Sequence, residues 1–142
     1  YALVPTIPMS EREYPVADLP TPRETYSPGD AISLQLDALE TNDDPFENAG
    51  IMTAYNFASP ANRRSTGPLD RFIAMVQSPQ YRPMIDFEEA VRGPVERDEN
   101  YAEQRVTVTG PDGRTTTYEF GLSVQSVGEF RGCWQTDRVV VV

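Results

Sequence analysis

The chain of 142 residues has a net charge of −10, from 22 acidic side chains against 12 basic ones, all of them arginine. This length suits one domain with a single core, and the absence of a basic stripe argues against nucleic acid as a partner. The sequence has no histidine and one cysteine, which excludes Ser/His/Asp and Cys/His catalytic sites, most zinc sites and an internal disulfide. No apolar run approaches the roughly 20 residues that a membrane span needs.

Residues 1–27 differ from the rest of the chain because five prolines interrupt them. Such a segment has no helical or alternating pattern, so we predict an extended, polyproline-like arm. The arm is nevertheless too apolar for an ordinary solvated tail. Two interpretations follow, since it can lie on its own domain or on another protein. We favour another protein for the first residues and expect the segment from Tyr14 to Leu19 to return to the domain.

The residues of the arm that we assign to partner binding are Tyr1, Leu3, Val4, Ile7 and Tyr14. Because the sequence starts with tyrosine, we also expect that a leader has been removed or that it begins within a longer chain.

The next segment, up to about residue 81, has a helical pattern. Ser27 precedes a proline and lies three residues before Asp30, which is the spacing of a capping box, so a first helix begins here and ends near Thr41. A second, short helix is predicted by apolar residues with helical spacing, Ile51, Ala54, Tyr55 and Ala58. A third is predicted by one continuous apolar stripe, Leu69, Phe72, Ile73 and Val76. The intervening segment, residues 62–66, is predicted to be a loop at the N-terminus of the third helix.

The second half has an apolar period of two residues, which predicts strands. We expect a first strand over Met84 to Val91, then a charged loop, and a hairpin whose strands are joined by a tight turn at Gly110 to Gly113. The last strand runs from Cys133 to Val142, and its valines predict burial on both faces or coverage by a neighbour. Helices followed by an antiparallel meander indicate an α+β fold, with the helices packed on one face of a curved sheet.

Several motifs resemble a bacterial and plastid family of unknown function, domain-of-unknown-function family 4864. They are LQLDALETND, YNFASPANRRSTGPLDRFIAMVQSPQYRPM and GCWQTDRVVV, and the resemblance covers about Pro28 to Val142. The order of the elements also resembles the SnoaL-like superfamily, named after nuclear transport factor two, in which a bent sheet and its helices form a cone with an internal pocket. The resemblance implies a SnoaL-like domain over residues 28–142, preceded by the arm, and brings no established reaction.

Two candidate sites emerge, each with a structural alternative. Arg63 and Arg64 could bind an anion or a partner carboxylate at a helix N-terminus, or they could be solvated while their neighbours cap the backbone. A cone pocket could be lined by Tyr55, Phe72, Tyr118, Trp134 and Asp137. Enzymes of the resembled superfamily place acid–base residues inside such a cone, whereas the alternative is that the aromatic residues are core.

No metal site is predicted. The acidic pair Glu88-Glu89 and the run from Glu96 to Glu99 lack calcium-loop spacing and are interpreted as solvated surface. Cys133 lies beside Trp134 in an apolar strand, which favours an inert buried thiol over a nucleophile.

Two classes of function fit these patterns. One is a non-catalytic accessory or assembly subunit that docks on a larger complex through its arm. The other is a small-molecule-binding protein or a lyase/isomerase that uses the cone pocket. We favour the first, because an enzyme does not need an apolar arm of this length and because histidine is absent. We expect no cofactor and a protein partner. The resemblance implies a chloroplast, with peripheral membrane association through a thylakoid complex of photosynthesis.

Overall fold

The computed structural model describes residues 14–142, and every structural statement below refers to that part of the chain. Within it, four helices come first: α1 (Pro28–Glu40), α2 (Ala49–Phe57), α3 (Pro60–Thr66) and α4 (Leu69–Val76). A 3-10 helix at Arg82–Met84 precedes the strands β1 (Glu89–Arg92), β2 (Glu96–Arg97), β3 (Tyr101–Thr109), β4 (Thr115–Val124) and β5 (Trp134–Val141). The paired strands are antiparallel, so the predicted α+β fold is confirmed.

Two of the helices begin at a capping serine that is followed by proline. The main-chain N–H of Asp30 donates to Ser27 Oγ, and the N–H of Ser27 donates to the Asp30 carboxylate, both at 3.0 Å, which completes the predicted capping box of α1. Ser59 Oγ accepts from the N–H of Asn62 at 3.2 Å and starts α3 in the same way. The prediction of a loop over residues 62–66 is therefore wrong, because Ser59 starts a short helix of its own.

A glycine sets the distance between α1 and α2. A Cβ built on Gly50 would lie 2.3 Å from the carbonyl oxygen of Ala38, so only glycine allows this approach. Nearby, the side-chain Oδ1 of Asn42 accepts from the main-chain N–H of Ile51 at 2.9 Å. The main-chain carbonyl of Asn42 accepts from the N–H of Gly50 at 2.8 Å. The buried Asn42 thus joins the end of α1 to the start of α2.

The sheet has the order β1-β3-β4-β5, with β2 also paired to β3. The hairpin of β3 and β4 closes at the predicted turn, where Gly113 N–H donates to Gly110 O at 2.9 Å. The predicted strand from Met84 to Val91 is wrong for most of its length. Asp86 has a φ of +54°, which is incompatible with a strand. Met84 lies in the 3-10 helix and Phe87 in the loop after it, and both side chains are buried in the core.

A β-bulge interrupts β5 at Asp137. Thr136 pairs with Leu122 and Arg138 pairs with Gly121, so Asp137 is an extra residue on its strand. Beyond the bulge, Val139 packs on the core while the side chains of the last three residues are exposed, Val140, Val141 and Val142. These valines are not buried on both faces within the chain.

The core lies between the helices and the inner face of the sheet. Its largest fully buried side chains include Tyr55 and Phe57 from α2 and Tyr118 and Phe120 from β4. Phe72 of α4 is 6% exposed, and its ring centroid lies 5.2 Å from that of Tyr55. The apolar stripe of α4 therefore faces the core as predicted.

Candidate functional site

The most elaborate polar site of the described chain holds a segment of the arm. Residues 14–20 form neither helix nor strand, and they lie across the end of α2 and the side of β5. We call Tyr14–Pro20 the strap. The strap slot is the surface that holds it, formed by Tyr55, Asn56, Ala58, Arg63, Phe130 and Gln135.

Asn56 holds the main chain of the strap. Its side-chain Oδ1 accepts from the N–H of Val16 at 2.7 Å, and its Nδ2 donates to the carbonyls of Val16 at 3.0 Å and Pro20 at 3.2 Å. Asn56 is fully buried, so these bonds supply partners that its amide could not take from water. The amide therefore holds the main chain of the strap at both ends of the turn between Val16 and Pro20.

Tyr14 fills the other end of the slot. Its ring meets the rings of Tyr55 and Phe130 edge-on, at 5.9 Å between centroids in both cases, and the guanidinium of Arg63 lies 3.3 Å from the ring centroid. Such edge-on pairs and cation–π contacts each stabilise by roughly 0.5–1.5 kcal/mol. The slot thus recognises the aromatic ring on both its edge and its face.

The hydroxyl of Tyr14 is also bound on both sides. It donates to the carbonyl of Asn56 at 3.0 Å and accepts from Gln135 Nε2 at 2.8 Å. Gln135 is 1% exposed, and the same Nε2 contacts the carbonyl of Ala58 at 3.1 Å. Burial raises the pKa of Tyr14, while the Arg63 guanidinium and the Gln135 amide act in the opposite direction. The neutral hydroxyl is therefore the form that the slot binds.

The residues assigned to partner binding fall into three groups. Tyr14 contacts its own domain, in keeping with the expected return of Tyr14 to Leu19. Arg63 lies in the last turn of α3 and not at a helix N-terminus. Its guanidinium donates to Ala58 O at 2.6 Å and covers Tyr14, so part of it is used within the domain. Arg64 is exposed. The remaining assigned residues lie outside the described chain, namely Tyr1, Leu3, Val4 and Ile7.

A cavity lies between the helices and the sheet, but it is small. Its volume is about 60 Å³, against roughly 300–1,000 Å³ for ordinary ligand pockets. Its polar end is formed by Gln35, Asn62 and Thr136, which bond to one another: Gln35 donates to the Thr136 hydroxyl at 2.9 Å and Asn62 to the Thr136 carbonyl at 3.0 Å. The rest of the lining is largely apolar. A cavity of this size accommodates a few water molecules.

Of the five residues predicted to line a cone pocket, only Phe72 lines this cavity. Tyr55, Tyr118 and Trp134 are buried in the core, as the structural alternative expected. The hydroxyl of Tyr118 donates to Gln80 O at 2.8 Å, and burial raises the pKa of Tyr118 to about 12. The bulged Asp137 is half-exposed. The hydroxyl of Tyr118 is thus bound at Gln80, outside the cavity lining.

Two further ionisable groups, Arg138 and Cys133, have structural roles. Arg138 spans the outer face of the sheet and forms ion pairs with Glu103 at 2.7 Å and Glu119 at 3.0 Å. Burial, helped by the nearby Glu24, raises the pKa of the Cys133 thiol, which favours the inert form. Within residues 14–142, no three His, Cys, Asp or Glu side chains are grouped to hold a metal ion.

Asn56 and Gln135, the central residues of the slot, were not singled out by sequence reasoning. Each is an amide beside a large aromatic residue: Asn56 lies between Tyr55 and Phe57, and Gln135 follows Trp134. A polar residue that must be buried with its neighbours needs a hydrogen-bond partner, and that requirement was the signal that could have identified them.

In residues 14–142, no helix combines the length and the apolar character required to span a bilayer. The chain matches no curated protein and no solved structure, so the placement in the SnoaL-like superfamily stays a prediction. Residues 27–142, which include the helices, the sheet and the whole strap slot, match the family model of a domain of unknown function, DUF4864. The chain therefore belongs to the DUF4864 family.

Proposed function

We propose that the protein is a non-catalytic accessory or assembly subunit that docks on a larger protein complex through the first thirteen residues of its arm. The observation that carries the proposal is the anchor of the arm at residues 14–20, where Asn56 and Gln135 bond to the strap. An anchor of this kind fixes the point from which the preceding residues start. Such pre-organisation lowers the entropy that a partner must remove on binding.

The amino acids of residues 1–13 support this proposal. Tyr1, Leu3, Val4 and Ile7 are apolar side chains in a segment interrupted by prolines, and such a segment does not form a core of its own. Extended, proline-rich chains are common ligands of aromatic grooves on other proteins, because little backbone entropy is left to lose. The partner is therefore expected to offer an apolar groove.

The alternative, a small-molecule-binding protein or a lyase/isomerase, would use the internal cavity. Its volume of about 60 Å³ and its mutually bonded polar end offer a substrate little room and few free polar partners. We therefore prefer the accessory subunit. The proposed site of assembly, a thylakoid complex of the chloroplast, stays a prediction from the sequence resemblance.

Deletion of residues 1–13 tests the proposal. The truncated protein should keep the melting temperature of the full chain, because the strap and its slot are intact, and it should lose association with the larger complex in a pull-down from the source membranes. A variant whose residues 1–13 are scrambled, with length and composition unchanged, is the matched control and should also fail to associate. Normal association of the truncated protein would refute the accessory-subunit proposal.

A further inference from the structure

The geometry points to a binding activity of the domain itself: the strap slot is a recognition site for a polypeptide segment of the Tyr-Pro-aliphatic type that turns after its aliphatic residue, and the chain's own strap occupies it in cis. This inference is independent of the proposed docking by residues 1–13. It concerns residues 14–20 and the surface beneath them, and it assigns to that surface a class of ligand.

The first argument is that the slot and its occupant belong to different parts of the chain. The residues of the slot, from Tyr55 to Gln135, all lie within the range 27–142 that defines the family, whereas the strap precedes that range. The strap also forms neither helix nor strand and is joined to α1 by residues 21–27. The family domain therefore contains the whole slot, and the strap lies outside it as a segment that binds to it.

The second argument is that the slot forms hydrogen bonds with the main chain of its ligand. Within the described residues, the side-chain hydrogen bonds of Asn56 go to Val16 and Pro20 only. The strap covers this amide and replaces the water that would otherwise bond to it, so these three bonds are its partners in the folded chain. The strap satisfies the amide with one N–H and with two carbonyls that are four residues apart, which the turn at Asp18 brings to the same nitrogen. A segment that turns in this way supplies these main-chain groups whatever its side chains.

The third argument is that the slot binds a tyrosine side chain, and these contacts make it specific for that residue type. The ring contacts Tyr55, Phe130 and Arg63, and the hydroxyl is held between Asn56 O and Gln135 Nε2. A site that hydrogen-bonds a hydroxyl discriminates against the analogue that lacks it. The residue two positions later is aliphatic, since Val16 packs on the core. Proline between them donates no N–H, so the slot needs no acceptor there.

The test uses the full chain with Tyr14→Ala, which removes the side chain that fills the slot, and a fluorescein-labelled peptide with the sequence of residues 14–23, YPVADLPTPR. Fluorescence anisotropy should show saturable binding of the peptide to the Tyr14→Ala protein. The wild-type protein should bind it at least tenfold more weakly, because a tethered strap competes at an effective concentration on the order of millimolar. A peptide with phenylalanine for tyrosine should bind more weakly, and one with alanine should not bind.

Two further measurements keep the inference falsifiable. The double variant Tyr14→Ala/Asn56→Ala should lose peptide binding, while Tyr14→Ala/Arg64→Ala, whose second substitution lies on the exposed side of α3, should keep it. Should Tyr14→Ala not fold, millimolar unlabelled peptide added to the isotope-labelled wild-type protein should displace the strap and shift the amide resonance of Val16, whose N–H then loses Asn56 Oδ1. Absence of binding to a folded Tyr14→Ala protein, or an unchanged Val16 resonance in that competition, would overturn the inference.

Discussion

Replacement of Asn56 by alanine would measure how firmly the strap is held. The substitution removes the bonds to the Val16 N–H, the Val16 carbonyl and the Pro20 carbonyl. Each bond contributes a net stability of about 0.5–1.5 kcal/mol, so loss of the three should cost about 1.5–4.5 kcal/mol. Every 1.4 kcal/mol is a factor of ten in an equilibrium constant. The equilibrium for local opening of the strap should therefore rise by roughly ten- to a thousandfold.

Amide hydrogen exchange at Val16 is the suitable assay, because this N–H donates directly to Asn56 Oδ1 and exchanges when the strap opens. The control is Asn62→Ala, which removes one amide-to-carbonyl bond, to Thr136, away from the strap. Asn62→Ala should cost about 1 kcal/mol of global stability and leave the exchange at Val16 unchanged. An Asn56→Ala protein whose Val16 exchanges at the wild-type rate would refute the account of the anchor.

Two further predictions concern the core. Phe72→Ala should lower the free energy of unfolding, measured by denaturant titration, by about 3–5 kcal/mol, because it empties a large buried site. The control is Phe46→Ala, at an exposed phenylalanine. A cost for Phe72→Ala under about 1 kcal/mol would mean that α4 has another register. The pKa of Tyr118 is raised from its ordinary value of 10.0 to about 12, so the stability it contributes is complete below pH 10 and is lost as the pH rises towards 12. Over that interval the wild type should lose on the order of 3 kcal/mol more than Tyr118→Phe, and parallel stability curves of the two proteins would contradict this.

The sequence predicted the parts of the fold that local chemistry determines. The capping box at Ser27, the apolar stripe of α4 and the turn at Gly110 to Gly113 are each encoded within a few neighbouring residues, and all are present. The start of α3 was missed although Ser59-Pro60 carries a recognisable cap, because two arginines and several hydroxyls after it resembled a loop. The same misinterpretation placed Arg63 and Arg64 at a helix N-terminus.

Features that depend on distant parts of the chain could not be predicted. Asn56 meets Val16 across 40 positions, Gln35 meets Thr136 across 101, and Gln135 meets Tyr14 across 121. No periodicity encodes such pairs. The short strand β2 likewise exists only because β3 offers an edge to Glu96–Arg97. A burial argument for the amides was available from the sequence, but it identifies a residue that needs a partner and not the partner itself.

The bulge at Asp137 makes one position of β5 tolerant of deletion. Loss of a residue from a strand usually shifts its register and moves every later side chain to the other face. Without Asp137, however, Thr136 would still pair with Leu122 and Arg138 with Gly121, because Asp137 is the extra residue of the bulge. The guanidinium that pairs with Glu103 and Glu119 would stay on the outer face of the sheet, and Val139 would stay on the core. Deletion of Asp137 would therefore remove the local bend of the strand and keep its pairing.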